Sequence, residues 1–174
     1  MSAAVGIRIA LLVFVVTILQ VSAFSSVTVA GGGFDVLLVT LVSIALLRGA
    51  VTGAVAGFAA GLIVDVTTLG TLGLTSLLLT LAGYWAGRYG ETTGRSRAHA
   101  PLAATVAATV LVAFGGYGLQ SMLGEPVAAR VVLVALPAAL LWNALLVYPV
   151  FGLVRRFVGT TEHAARAREV EVLV

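Results

Sequence analysis

The residues able to do chemistry are few and far apart. The two histidines, His99 and His163, stand in polar segments, and neither has a second histidine or a cysteine at metal-ligand spacing. The chain has no cysteine, which excludes disulfides and thiolate metal sites. All ten of its basic residues are arginine, so a P-loop, which needs a lysine, is excluded too. No serine lies in a nucleophile-elbow pattern. Asp35, Asp65 and Glu125 have no partner pattern that would indicate proton transfer. The expected function is therefore not enzymatic, with no cofactor and no metal. What remains is a scatter of single polar residues in apolar surroundings: Asp35, Arg48, Asp65, Arg130 and Asn143. Side chains of this kind pair with one another, cap helix ends or hydrogen-bond between helices.

The surroundings explain why so few polar groups are present. The 174 residues are 60% hydrophobic and 10% charged, with a mean hydropathy of +1.13. Soluble domains are about 45–50% apolar and about 25% charged. A water-soluble fold of this size would leave large apolar patches exposed, and such patches drive association. The sequence therefore predicts an all-α integral membrane protein with lipid as its main solvent. The pI near 10.0 does not point to nucleic acid, because the arginines are scattered between apolar runs and form no continuous polar face.

A helix needs about 20 apolar residues to cross the hydrocarbon core. Residues 9–30, 70–87, 101–123 and 127–154 meet that need, the last with Pro137 and Pro149, which predict a kink. Residues 34–64 form either one long helix or two short ones, 34–47 and 49–64, meeting at Arg48 and Gly49. Charge decides between them, since cytoplasmic loops carry the excess of arginine. Six spans with an inside N-terminus put Arg8, Arg48, Arg88, Arg95, Arg97, Arg155, Arg156, Arg166 and Arg168 on the cytoplasmic side and only Arg130 outside. Residues 1–154 are thus predicted to form one six-helix transmembrane domain and residues 155–174 a cytoplasmic tail. The short second and third spans predict tilt, local thinning or burial between longer neighbours. Arg8, the apolar run after it and "VSA" before Phe24 resemble a cleavable signal peptide. Loss of that span would spoil the arginine asymmetry, so an intact anchor is expected.

Glycine recurs at 49, 53, 57 and 61, and Asp65 continues the interval. Positions four apart share one helix face. Gly49, Gly53, Gly57 and Gly61, with Ala56 and Ala60 beside them, therefore form a groove without large side chains, and Gly83 and Gly87 repeat the spacing in the fourth span. Small-xxx-small patterns mark close backbone packing in lipid. The groove serves either internal helix packing or the helix of another protein, and the two are compatible. Asp65 either ends its helix at the interface and caps amides in the turn at 67–71 or the next helix, or pairs with Arg130. Asn143, midway along the sixth span, is expected to hydrogen-bond between helices.

"ILQVSAF" and "FDVLLVTLVSIALLRGAVTGAVAGFAAGLIVDVTTLGTLGLTSLLLTLAGYWAGRYG", together with the six-span plan, resemble the rod shape-determining protein MreD family. The most specific part is residues 48–90: a glycine-spaced helix, "GFAAGLIVD", a downstream "LG" and then "LAGYWAG". One position departs from the family pattern, because Phe34 precedes Asp35 where the family often has proline. The resemblance implies a non-enzymatic scaffold of the cell-elongation machinery in the bacterial inner membrane, with both termini cytoplasmic. Its implied partners are a single-span periplasmic protein like MreC, an actin-like filament like MreB, and the glycosyltransferase and transpeptidase that build lateral wall peptidoglycan. The resemblance also implies a fold similar to the substrate-binding subunits of energy-coupling-factor vitamin transporters, and such a subunit is the alternative function. A transporter needs a midplane site with several polar groups. Apart from Asn143, the predicted span centres have almost none.

Overall fold

A segment in lipid must satisfy its own backbone hydrogen bonds, and a helix does so within a single run of chain. A computed structural model describes residues 3–24, 35–93, 99–124 and 128–158, and every regular element among them is helical. In chain order these are α1 (Ala3–Leu19), which passes into a π-helical turn (Gln20–Phe24), α2 (Val36–Arg48), α3 (Ala50–Thr68), α4 (Leu74–Thr93), α5 (Ala100–Met122) and α6 (Ala129–Val158). Four of them, α1 with its π turn, α3, α5 and α6, are long and apolar enough to cross a membrane.

The short helix α2 lies at the centre. Its 13 residues rise about 20 Å, well short of a bilayer core of about 30 Å. Its sequence, "VLLVTLVSIALLR", is apolar all round, and a helix of that kind needs protein or lipid on every side. Protein supplies it here. All residues from Leu37 to Leu47 are buried, and α2 touches each of the other five helices. The others turn apolar side chains outward, as Leu11, Phe14, Val55, Leu141 and Leu145 do. α1 is peripheral and packs mainly on α2, α3 and α6, whereas α3 and α4 make the most extensive pair.

Two helices, not one, occupy residues 36–68, and they meet without a loop. Gly49 has φ 96° and ψ 176°, a conformation essentially confined to glycine. Its N–H donates to the Ala45 carbonyl at 2.7 Å and its own carbonyl accepts from Gly53 N at 3.0 Å, so one residue closes α2 and opens α3.

Several helix limits differ from those read from the sequence. α1 begins before residue 9. α3 runs past 64 through Asp65 to Thr68, and at 19 residues it is not a short span. α4 runs past 87 to Thr93 and takes in Arg88 and Glu91. α6 continues unbroken through Pro137 and Pro149 to Val158, and so absorbs Arg155 and Arg156, which the sequence placed in the tail. The common physical reason is that polar residues do not stop these helices. The carboxylates of Asp65 and Glu91 are taken up by the neighbouring helix, while Arg88, Arg155 and Arg156 lie exposed, so the backbone continues past each of them. Glu125, His163, Phe34 and the remainder of the tail lie outside the described residues.

Candidate functional site

The glycine face of α3 lies directly against α4, which runs antiparallel to it. A Cβ built on Gly53 would fall within 3.0 Å of the Gly83 carbonyl, one on Gly57 within 3.0 Å of the Leu79 carbonyl, and one on Gly61 within 3.0 Å of Ser76 Cα. The relation is mutual. A Cβ on Gly83 would meet the Gly53 backbone and one on Gly87 the backbone of Gly49 and Ala50. These are backbone-to-backbone approaches, so no side-chain rotation could relieve them. The groove of Gly53, Gly57 and Gly61 is therefore filled by α4 of the same chain. Gly49 differs from the others, being the helix junction rather than a rung. Gly90, not singled out from the sequence, adds a rung that brings α4 against Leu46 of α2.

Asp65 is the next position on the α3 face and is only 2% exposed. One carboxylate oxygen accepts from Gly73 N at 2.9 Å and Ser76 N at 3.2 Å, and the other accepts from Thr75 N at 3.1 Å. These are the orphan amides that open α4, the kind that every helix start leaves without an internal partner. A carboxylate there also sits favourably at the positive end of the helix dipole. The amides capped are 73, 75 and 76, not those of 67–71. Arg130 is exposed at the start of α6, and no ion pair or hydrogen bond joins it to Asp65 among the described residues.

The opposite end of the pair repeats the arrangement in reverse. Glu91, near the end of α4, accepts from Ala50 N, the first residue of α3, at 2.9 Å. Its second oxygen meets Arg88 at 3.5 Å on the surface. Each helix thus supplies the carboxylate that caps the start of the other. Glu91 was not among the residues singled out from the sequence, yet a signal for it exists. "GFAAGLIVD" (57–65) and "GYWAGRYGE" (83–91) share one pattern, two glycines and an acid at intervals of four. In an antiparallel pair, two copies of that pattern place the acids at opposite ends.

The other isolated polar residues act in the same way. Asn143, 2% exposed, accepts from Asp35 N at 2.9 Å and donates to Thr109 Oγ1 at 3.1 Å, tying α6 to α5 and to the start of α2. Gln20 of the π turn accepts from Val36 N at 3.0 Å, and Asp35 itself accepts from Leu38 N at 2.8 Å as the N-cap of α2. At the other end of α2, Arg48 donates through Nη2 to the Val158 carbonyl, the C-terminus of α6. Basic side chains commonly close helix C-termini in this manner. Asp35, Arg48, Asp65 and Asn143 thus all serve helix ends, although they do not converge on a common point. His99 is exposed at the start of α5 and caps nothing. No group of three or more His, Cys, Asp or Glu side chains that could hold a metal ion occurs among the described residues.

A family model described as rod shape-determining protein MreD matches residues 3–157. No curated protein and no solved structure matches the chain.

Two sets of substitutions test this geometry through melting temperature in detergent. Alanine for glycine inside a helix ordinarily stabilises by about 0.5–1 kcal/mol. At Gly57 or Gly61 the added Cβ must push α4 away, and overpacking costs about 1–3 kcal/mol, so Gly57→Ala and Gly61→Ala should lower the melting temperature. Gly6→Ala, where a Cβ meets nothing within 4 Å, should be neutral or stabilising. Equal responses at the three sites would show that the interlock is not limiting. For Asp65, Asn keeps an acceptor oxygen and should cost about 1 kcal/mol, whereas Leu strands three amides and should cost more than about 2 kcal/mol. Arg130→Ala should stay within about 0.5 kcal/mol of the parent, as surface substitutions do. A loss at Arg130 as large as that at Asp65→Asn would instead point to a charge pair.

Proposed function

The chain belongs to the rod shape-determining protein MreD family, and from that membership we propose that it is a non-enzymatic scaffold of the cell-elongation complex, placed in the bacterial inner membrane. A part in rod-shape determination follows from the family itself, and so does residence in a membrane, in keeping with the four helices able to span one. The finer proposal is that the protein helps position peptidoglycan synthesis. It would do so with a single-span periplasmic protein like MreC and, directly or indirectly, with an MreB-like filament and the wall-synthesis enzymes.

The observation that carries the scaffold reading is how the polar side chains are used. Asp65, Glu91, Asn143, Gln20 and Arg48 each spend hydrogen bonds on a helix end. A solute binder would keep such groups free to face its ligand, as buried pockets with a few convergent polar groups do. Asn143, the polar residue deepest in α6, is engaged on both its oxygen and its nitrogen. These features support a rigid membrane platform over a transporter subunit, even on the six-span plan that the resemblance to energy-coupling-factor subunits implies.

We also propose six membrane crossings with both termini cytoplasmic. The support is the nine-to-one arginine split, together with the way α2 and α4 complete the bundle between the longer helices. α2 makes its crossing enclosed by protein on every side, so its short rise does not have to match the full hydrocarbon thickness as a lipid-facing helix must.

Two measurements test these proposals. The chain has no native cysteine, so single cysteines report cleanly. Ala128→Cys in intact cells should react with an impermeant thiol reagent and Ser96→Cys should not, and the reverse pattern would defeat the topology. Depletion in a rod-shaped host should produce rounded or swollen cells with dispersed wall-synthesis enzymes. Loss of uptake of one small molecule with normal shape would replace the scaffold by the transporter reading.

A further inference from the structure

The turn between α3 and α4 has its polarity inside out. Residues 49–87 contain a single charged side chain, Asp65, and it is buried. Its carboxylate faces inward onto the first amides of α4. The neighbouring hydroxyls also turn back on the chain: Thr67 Oγ1 donates to the Ile63 carbonyl at 2.7 Å and Thr68 Oγ1 to the Val64 carbonyl at 2.8 Å. The large side chains at the apex are apolar and point outward, with only the small Thr71 exposed between them. Leu69 is 92% exposed and Leu72 is 69% exposed, with Val66 one turn below. Leu69 also stands at φ 53°, in the left-handed region that non-glycine residues enter rarely.

A turn that meets water normally does the opposite, with polar side chains outside. The length of α3 places this one. Its 19 residues rise about 28 Å from Ala50, close to the hydrocarbon thickness of about 30 Å. Ala50 itself lies at the level of Arg48 and of the Arg88–Glu91 pair, charged groups that must stay at the opposite membrane surface. The apex therefore reaches only the far edge of the hydrocarbon and not the water beyond it. An open groove of about 540 Å³, lined by Phe58, Leu62, Leu72, Ser76, Leu77 and Thr80, leads up to the same apex along the outer faces of α3 and α4.

We infer that the α3–α4 apex is a lipid-contact surface. Leu69 and Leu72 insert among the acyl chains of the leaflet opposite the Arg48 end, which is the outer leaflet in the proposed orientation, and the groove below them accepts an acyl chain. Exposed leucines on such a short hairpin draw the headgroups of that leaflet toward the bundle. The chain thereby grips the outer leaflet at a fixed point. This inference depends on α3 crossing the membrane and not on the scaffold role, so either can fail without the other.

The test uses the full chain carrying one cysteine at a time, spin-labelled and reconstituted into vesicles of phosphatidylethanolamine and phosphatidylglycerol. The positions are Leu69→Cys and Leu72→Cys, with Val55→Cys as the lipid-facing reference and Thr92→Cys, beside Arg88 and Glu91, as the aqueous one. Collision with a polar nickel chelate should fall about tenfold from position 92 to positions 69 and 72, because a polar reagent partitions poorly into hydrocarbon. Collision with oxygen at 69 and 72 should match position 55. Nickel accessibility at 69 and 72 equal to that at 92 would overturn the inference. So would a label shielded from both reagents in native membranes but open to the nickel chelate in the vesicles, since the cover would then be another protein. All four substitutions fall at exposed positions, and a melting temperature near that of the parent confirms that each variant is folded.

Discussion

A backbone amide at a helix end buried within a membrane protein has no water to turn to. It must find its acceptor within the protein or leave a cost of several kcal/mol. This constraint accounts for nearly every polar contact between the helices of this chain. α2 begins inside the bundle, and its first amides are met by Asn143 from α6, Gln20 from the π turn and its own Asp35. α3 begins directly after α2, with no loop to carry it to solvent, and Glu91 meets its first amide. α4 begins at a turn whose threonine hydroxyls at 67 and 68 bond back onto α3, and Asp65 meets the amides of Gly73, Thr75 and Ser76. In each case the capping group comes from, or is reinforced by, a different helix. Ordinary caps fix where a helix starts, whereas these also fix which helix stands beside it.

The glycine interlock of α3 and α4 depends on the same caps. Backbones this close have no side chains to lock their register, and dispersion between smooth surfaces tolerates sliding. The carboxylates at the two ends remove that freedom. Asp65 holds one end at Gly73, Thr75 and Ser76, and Glu91 holds the other at Ala50. A shift of one residue along the axis would break both. In return, close approach keeps the caps within reach, because bulkier residues at 57 or 61 would move Asp65 away from α4. Packing and capping thus stabilise one another, and the pair forms a stiff hairpin against α2. The peripheral α1 packs more sparsely on its neighbours and exposes Leu11 and Phe14. A platform with one closely packed pair and one sparsely packed helix suits the scaffold role proposed for the chain.

The sequence alone determined what is local and one-dimensional. Hydropathy is a sum over neighbours in the chain, so the membrane class and the apolar runs were legible without coordinates. The period of four was legible as well, and it placed Gly53, Gly57, Gly61 and Asp65 on one face. The helix junction at Arg48 and Gly49 could be read from charge asymmetry, because membrane insertion acts on short stretches of chain. What only the tertiary structure decided is which surfaces meet. That α4 fills the groove, that Asp65 caps α4 and makes no bond to Arg130, and that Arg48 closes α6 all depend on partners distant in sequence. The contacts of Ala50 with Glu91, Asp35 with Asn143 and Arg48 with Val158 span 41, 108 and 110 residues. In lipid such contacts leave little trace in the pattern, because a helix face turned to acyl chains and one turned to protein are equally apolar. The distinction between them lies in the shape and hydrogen bonding of the neighbour, which exists only once the helices are packed.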